Sequence, residues 1–203
     1  LPLDTLRQVV QAMREAATRA GVSIVTGDTK VVEHGKCDGL YINTSGIGLV
    51  PGNIEIGLHR VQKGDAVIVT GPIGNHGVSI LSTREGLNFE TTIESDTAAL
   101  THIVSNLLAG VPDVHMLRDP TRGGLSSTLN EIAEGAGVTI TLDEQSLPIE
   151  PPVRAACDLL GLDPLYIANE GILLIFLPDE YAEQALHIIR NDPHGKGARL
   201  IGH

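Results

Sequence analysis

The stretch RDPTRGGL, residues 118–125, decides how the rest of the chain is read. It places an acid, a proline, a hydroxyl, a guanidinium and two glycines at the start of a helix expected over residues 122–134. Pro120 fixes its own φ and biases the residue before it away from helix, while Gly123 and Gly124 permit close backbone approach. The unpaired N–H groups and positive dipole end of the helix are then directed at one spot. The forked guanidinium of Arg122 suits phosphate or carboxylate, and Thr121 serves as a helix cap or a ligand hydroxyl. One reading is an anion site; the other is a well-capped helix whose arginine faces water.

Outward from this motif the chain alternates strands and helices. A short strand, residues 114–117, feeds it, and another, residues 138–142, follows its helix. Upstream, residues 65–70 read as a strand ending in GPIGNHG, followed by a helix over about residues 77–84. A polar turn region then precedes a helix over residues 96–108, whose Leu100, Ile103, Val104, Leu107 and Leu108 form one face. Downstream lie a helix over residues 152–160, a strand over 171–177 and a helix over 178–190. At the beginning, a helical repeat over residues 4–20 stops at Gly21, and strands are expected over residues 22–26 and 40–49. No Rossmann glycine pattern is present. The mixture therefore favours an α+β (mixed α/β) fold, a sheet covered on one face by helices, over a doubly wound dinucleotide fold. Residues 50–64, carrying Pro51, Gly52, Gly57 and Gly64, mark the domain boundary.

The 203 residues carry a formal charge of −11, which excludes a backbone-binding nucleic-acid protein lacking a basic face. The core must be aliphatic, since there is no Trp and only three Tyr and two Phe. The longest apolar run, residues 171–177, is far too short to span a bilayer, and no signal-peptide pattern opens the chain, so a cytoplasmic protein is expected. Cys37 and Cys157 have no metal spacing and no disulfide framework. Cys157 reads as a small buried thiol and Cys37 as an inert turn residue. The chain starts directly on a helix without an initiating Met and closes at RLIGH, where another strand begins. Both ends read as cut.

Three further clusters place polar groups where apolar strands end. In GDTKVV, residues 27–32, Asp28, Thr29 and Lys30 read either as a surface pair or as a ligand-holding strand end with Lys30 facing an oxyanion. In GPIGNHG, residues 71–77, Asn75 and His76 lie in a flexible turn or in a backbone nest where His76 donates to a phosphate or another ligand. In ANEG, residues 168–171, Glu170 precedes the most apolar strand. Burial there would raise its pKa toward a general base, and the other reading is a strand-entry residue bonded to nearby N–H groups.

GDTKVV, GPIGNHG, RDPTRGGL and ANEG, in this order and at these separations, resemble the hydrogenase-maturation carbamoyl dehydratases (the HypE family) of the aminoimidazole-ribonucleotide-synthetase-like superfamily. The segments DTKVVEHGKCDGLYINTSGIG and CDLLGLDPLYIANEG fit that family better than its selenophosphate-synthetase or thiamine-phosphate-kinase relatives. The resemblance implies a two-domain AIR-synthetase-like protein. Residues 1–56 would be the C-terminal part of the amino-terminal, ATP-binding and dimerisation domain, and residues 57–203 most of the carboxy-terminal domain. It implies a homodimer that receives a carbamoyl group on its own terminal cysteine from the carbamoyltransferase HypF. ATP with Mg2+ then dehydrates the thiocarboxamide to a thiocyanate, and the HypC–HypD scaffold complex takes the cyano group to iron.

An amide oxygen is a poor leaving group, so it must be phosphorylated, and a base must remove the N–H proton as phosphate departs. The resemblance gives Lys30 the charged oxygen or phosphoryl group and Glu170 the proton. Asp28 would orient Lys30 or help hold magnesium, beside Thr29. Asp119, Thr121, Arg122, Gly123 and Gly124 would line the nucleotide or tail cleft, supported by Asn75 and His76. The family's glycine-rich amino-terminal segment, its magnesium- and ATP-holding acids and its cysteine-ended tail have no counterpart in these 203 residues. The chain alone is therefore expected not to complete a turnover. The rival readings are another ATP-dependent enzyme of the superfamily, of the selenophosphate-synthetase kind, and a non-catalytic ATP-binding or scaffold module.

Overall fold

The apolar runs DAVIV and LIFLP form the two inner strands of an antiparallel sheet in the computed structural model, which describes residues 1–86 and 93–203. These are β1 (Asp65–Val69) and β3 (Leu174–Pro178), paired from Asp65 with Pro178 to Val69 with Leu174. The outer strands are β2 (Met116–Arg118) and β4 (Arg199–Gly202), giving the order β2-β3-β1-β4. Every residue of β1 is buried. Such a run, apolar at successive positions, belongs to a strand covered on both faces.

Both faces are indeed covered, which corrects the expectation of one. Ala66, Ile68, Ile175 and Leu177 pack with Ile103 and Leu107 of α3 (Thr101–Gly110) and with Ala185, Leu186 and Ile189 of α6 (Ala182–Arg190). The alternate positions, Val67, Val69, Leu174 and Phe176, face Leu125, Leu129 and Ile132 of α4 (Gly124–Ala136). Period-two alternation of the strands thus sorts their side chains between two helical layers. A satellite cluster joins Val78 of α2 (Asn75–Glu85) to Val153, Ala156 and Cys157 of α5 (Pro151–Leu160). Cys157 is buried there as expected, and burial pushes its thiol pKa up.

Several boundaries differ from the sequence reading, and three of them have a visible cause. α3 begins at Thr101 rather than at residue 96, because Asp96 turns its carboxylate to another loop instead of capping a helix. α4 begins at Gly124 rather than at residue 122, since its N-cap Gly123 and its first residue Gly124 take positive φ, 76° and 61°, and the right-handed helix cannot extend back through them. Thr121 does not cap it with its hydroxyl; the N-cap is Gly123, which has no side chain to offer. Residues 138–142 make only a bridge, Leu142 to Gly202, although Thr141 and His203 exchange backbone bonds of 2.8 and 3.0 Å. The polar turn expected before α3 includes residues 87–92, which lie outside the described residues.

The chain divides into two units, Leu1–Ile54 and Glu55–His203; the sheet belongs to the second. The first holds α1 (Leu3–Ala20), ended by Gly21 at φ 69°. Residues 22–26 and 40–49, expected as strands, form no hydrogen-bonded strand, and their apolar side chains, Ile24, Val25, Ile42 and Ile47 among them, are exposed. β-branched composition favours extended backbone, but a ladder needs a partner edge. None of the described residues supplies one to these segments.

Candidate functional site

Sheet register gathers three of the four singled-out motifs. Leu174 at the start of β3 is opposite both Val69, at the end of β1, and Arg118, at the end of β2. The loops after β1 and β2 and the loop before β3 therefore emerge at one end of the sheet. They carry GPIGNHG, RDPTRGGL and ANEG respectively.

Asn169 ties the three together. It is buried, its Oδ1 accepts the Gly74 N–H at 2.8 Å, and its Nδ2 donates to the Pro120 carbonyl at 2.8 Å and to that of Ile167 at 3.1 Å. Gly77 adds a backbone bond to the Ala168 carbonyl at 3.0 Å. Gly124 is confined from the other side: a Cβ there would collide with the carbonyl oxygens of Leu165 and Ile167. A Cβ at Gly123 would strike Ser127. The two glycines thus let the chain approach itself, which the sequence reading had ascribed to a ligand.

Glu170 follows Asn169 and is exposed rather than buried. Its backbone N–H donates to Asp96 Oδ1 at 3.1 Å. A Cβ at Gly171 would collide with the Asp96 carbonyl, so the loop before α3 lies directly against ANEG. Burial is the largest influence on the Asp96 carboxyl and pushes its pKa above the ordinary carboxylate range, against the lowering effects of the Glu170 N–H and of His76. Asn75 Nδ2 donates to Glu150 at 2.8 Å, and His76 Nδ1 lies 2.9 Å from Ser95 Oγ. Asp119 and Arg122 are exposed, and Arg118 reaches Asp119 and Glu131, each at 3.4 Å. Asp28, Thr29 and Lys30 lie exposed in the first unit, where the Thr29 N–H donates to Asp28 Oδ1 at 2.8 Å.

Asp96, Asn169 and Glu150 were not foreseen. Asn169 stood inside a motif whose neighbouring carboxylate drew the chemical reading, and Asp96 looked like a helix start. A cavity of about 610 Å³ opens beside them, lined by Asn75, Glu94, Asp96, Glu150, Gly171 and His194 among others. Its acidic wall disfavours anions. Among the described residues no group of three or more His, Cys, Asp or Glu is arranged to hold a metal ion.

Residues 62–203 match the family "AIR synthase related protein, C-terminal domain", and residues 1–50 match the corresponding N-terminal domain. The chain is 52% identical over 201 residues to the carbamoyl dehydratase HypE of Azotobacter vinelandii, covering 99% of this chain and 59% of that protein. A crystal structure of the hydrogenase maturation protein HypE in complex with ATP superposes with a TM-score of 0.95 at 50% identity, over 100% of this chain and 60% of that one. A HypE–HypF complex matches with a TM-score of 0.90 at 38% identity, over 99% and 66%. The chain thus spans about three-fifths of the length of the curated relatives it matches. With its two segments matched in order and most of its length in the second, the chain belongs to the AIR synthase related family.

Proposed function

We propose that this chain is the greater part of an ATP-dependent carbamoyl dehydratase of hydrogenase maturation. Likeness to such enzymes at 52% identity along 99% of the chain carries the reading. The convergence of GPIGNHG, RDPTRGGL and ANEG at one end of the sheet supports it. The net reaction converts R–S–C(=O)–NH2 and ATP to R–S–C≡N, ADP and phosphate. Lys30 meets the charge on the activated oxygen, and exposed Glu170 takes an N–H proton as phosphate leaves.

ATP fits the reading through the relative solved with it. In the second unit Thr121, Arg122 and the N–H groups at the start of α4 are assigned to its phosphates, with Asn75, His76 and Asp119 as further candidates and Gly123 and Gly124 shaping the turn; in the first unit Asp28 and Thr29 are assigned to the support of Lys30. Mg2+ does not fit a carboxylate set among the described residues, so no step is routed through it. The partners proposed are HypF, as in the solved complex of a relative, the HypC–HypD scaffold and a second copy of the chain. Residues 1–56 are assigned to the ATP-binding, dimerising domain and 57–203 to the C-terminal domain. No helix among the described residues is long and apolar enough to cross a membrane; a cytoplasmic setting is part of this proposal.

The test is ATP-dependent formation of protein thiocyanate, followed by mass spectrometry, in the form spanning the full length of the relatives and loaded with carbamoyl groups. A mass loss of one water with matching ADP release is expected. Release of ADP without that loss would move the reading to another ATP-dependent reaction of the superfamily.

A further inference from the structure

Nothing holds the Glu170 side chain itself. It is exposed, and among the described residues its carboxylate makes no hydrogen bond or ion pair. The place of such a side chain is set by its backbone, since its own torsions keep their rotamer freedom. That backbone is pinned from three directions. On one flank Asn169 is buried and tied to Gly74 and Pro120. On the other, a Cβ at Gly171 would collide with the Asp96 carbonyl and with the Ala98 nitrogen. At residue 170 itself, the N–H donates to Asp96 Oδ1 at 3.1 Å.

Asp96 serves no cap in its own element. The N-cap of α3 is Leu100, which offers no side-chain bond. The carboxylate is turned instead to ANEG, where the N–H groups of Glu170 and Gly171 both act on it. Burial is the larger influence and lifts its pKa, against those N–H groups and the charge of His76. A carboxylate taken out of water is costly unless N–H donors meet it. The segment that carries it is braced as well. Ser95 Oγ lies 2.9 Å from His76 Nδ1, at the start of α2, and accepts the Thr97 N–H at 3.2 Å. Ser95 and Asp96, neighbours in sequence, therefore link GPIGNHG to ANEG.

We propose that Asp96 is a positioning residue for Glu170: its carboxylate fixes the N–H of residue 170 and so sets where the Glu170 carboxylate meets the proton it removes. The inference rests on the dehydratase reading and on the base role assigned there to Glu170. It deepens that reading by naming the residue through which the base is placed. Asp96 touches only backbone, so it acts through Glu170 and not on the substrate. A base displaced by a fraction of a bond length loses most of the advantage of its orientation.

The test is a double-mutant cycle in the full-length form, loaded with carbamoyl groups and saturated with ATP, with single-turnover thiocyanate formation as the readout. Asp96→Ala is expected to slow the step by about 10²-fold, the loss for a misplaced reacting group. Asp96→Asn keeps an oxygen for the Glu170 N–H in a neutral bond about half as strong, and should recover to within about tenfold of the parent. Added to Glu170→Gln, Asp96→Ala should change the rate by less than about twofold, because no base remains to be placed. Hydrogen exchange by NMR reads the anchor directly: the Glu170 amide should exchange at least about tenfold faster in Asp96→Ala, while the amides of β1 and β3 keep their protection. If thermal unfolding shows that Asp96→Ala does not fold, the cycle is run with Asp96→Asn, whose smaller loss must likewise vanish in Glu170→Gln. Unchanged exchange at Glu170, a parent rate in Asp96→Ala where Glu170→Gln is impaired, or a full further loss in the double variant overturns the proposal. Faster exchange at Glu170 beside a parent rate in Glu170→Gln counts against the base role and leaves the anchor standing.

Discussion

Asn169 Oδ1 accepts the Gly74 N–H at 2.8 Å across 95 residues of sequence, while the same amide donates to Pro120. One buried side chain thereby sets the spacing of the loops after β1 and β2 and the loop before β3. Its contribution can be isolated, because truncation leaves the Gly74 N–H and the Pro120 carbonyl without their partner inside the protein. Asn169→Ala is expected to lower unfolding free energy by about 2–4 kcal/mol, from two such groups at about 1–3 kcal/mol each with partial relaxation. Urea denaturation measures it. Asn169→Asp keeps the acceptor for Gly74 but turns carboxylate oxygen toward two carbonyls, so it should not restore stability. A loss under about 0.5 kcal/mol for the alanine variant would show that the three loops are held by other contacts.

Gly124 and Gly137 separate two costs of a left-handed residue. Both have positive φ, 61° and 68°, but a Cβ at Gly124 would meet the Leu165 and Ile167 carbonyls, whereas nothing lies within 4 Å of one at Gly137. Gly137→Ala should therefore cost about 1–2 kcal/mol, the backbone conformation alone. Gly124→Ala should cost about 2–4 kcal/mol, since backbone must also shift. Equal losses in equilibrium unfolding would mean that the loop carrying Tyr166 yields freely.

The local patterns foretold much of the second unit, and the reason is physical. β1 and β3 are continuous apolar runs, and the helical stripe through Ile103 and Leu107 has no competing period. What escaped were relationships between distant residues. Asp96 reads as a helix start because local sequence rewards an acid there; only the approach of Gly171 reveals that it serves another loop. Of the two readings of Glu170, burial against the apolar strand does not occur: Glu170 is exposed, and it is the neighbouring Asn169 that is buried among the three loops. The two strands expected in the first unit had the right composition, yet composition does not supply the edge a ladder requires.

Asp113 gives a pH dependence with a definite sign. Burial draws its carboxyl upward, but hydrogen bonds from Arg60 and from His115 outweigh this and hold its pKa below the usual carboxylate value. Behind them His115 Nδ1 lies 2.9 Å from both oxygens of buried Asp65. A carboxyl depressed on folding contributes stability above its unfolded value, 3.8, and loses it as pH falls through the lower folded value. Asp113 is 40% exposed, so the screened contribution is about 0.2–1 kcal/mol. Asp113→Asn should thus be less stable than the parent at about pH 5–7, and the two unfolding curves should converge as pH falls through the lower folded value. A difference that widens in acid would contradict the assignment.

Glu170→Gln distinguishes a chemical role from a structural one. The carboxylate is exposed, and the contact by which residue 170 is held, the backbone N–H to Asp96, survives the substitution. Stability should stay within about 0.5 kcal/mol of the parent. In the full-length form, loss of a general base should reduce thiocyanate formation by about 10²–10⁴-fold. ATP affinity, read by titration calorimetry, should remain unchanged because the side chain is assigned to the proton and not to the phosphates. Lys30→Ala is expected to lower the rate as well, since its assigned charge lies on the activated oxygen. A Glu170→Gln variant that keeps the parent rate while its fold is intact would transfer the base role elsewhere, and Asp96 is then the carboxylate to test.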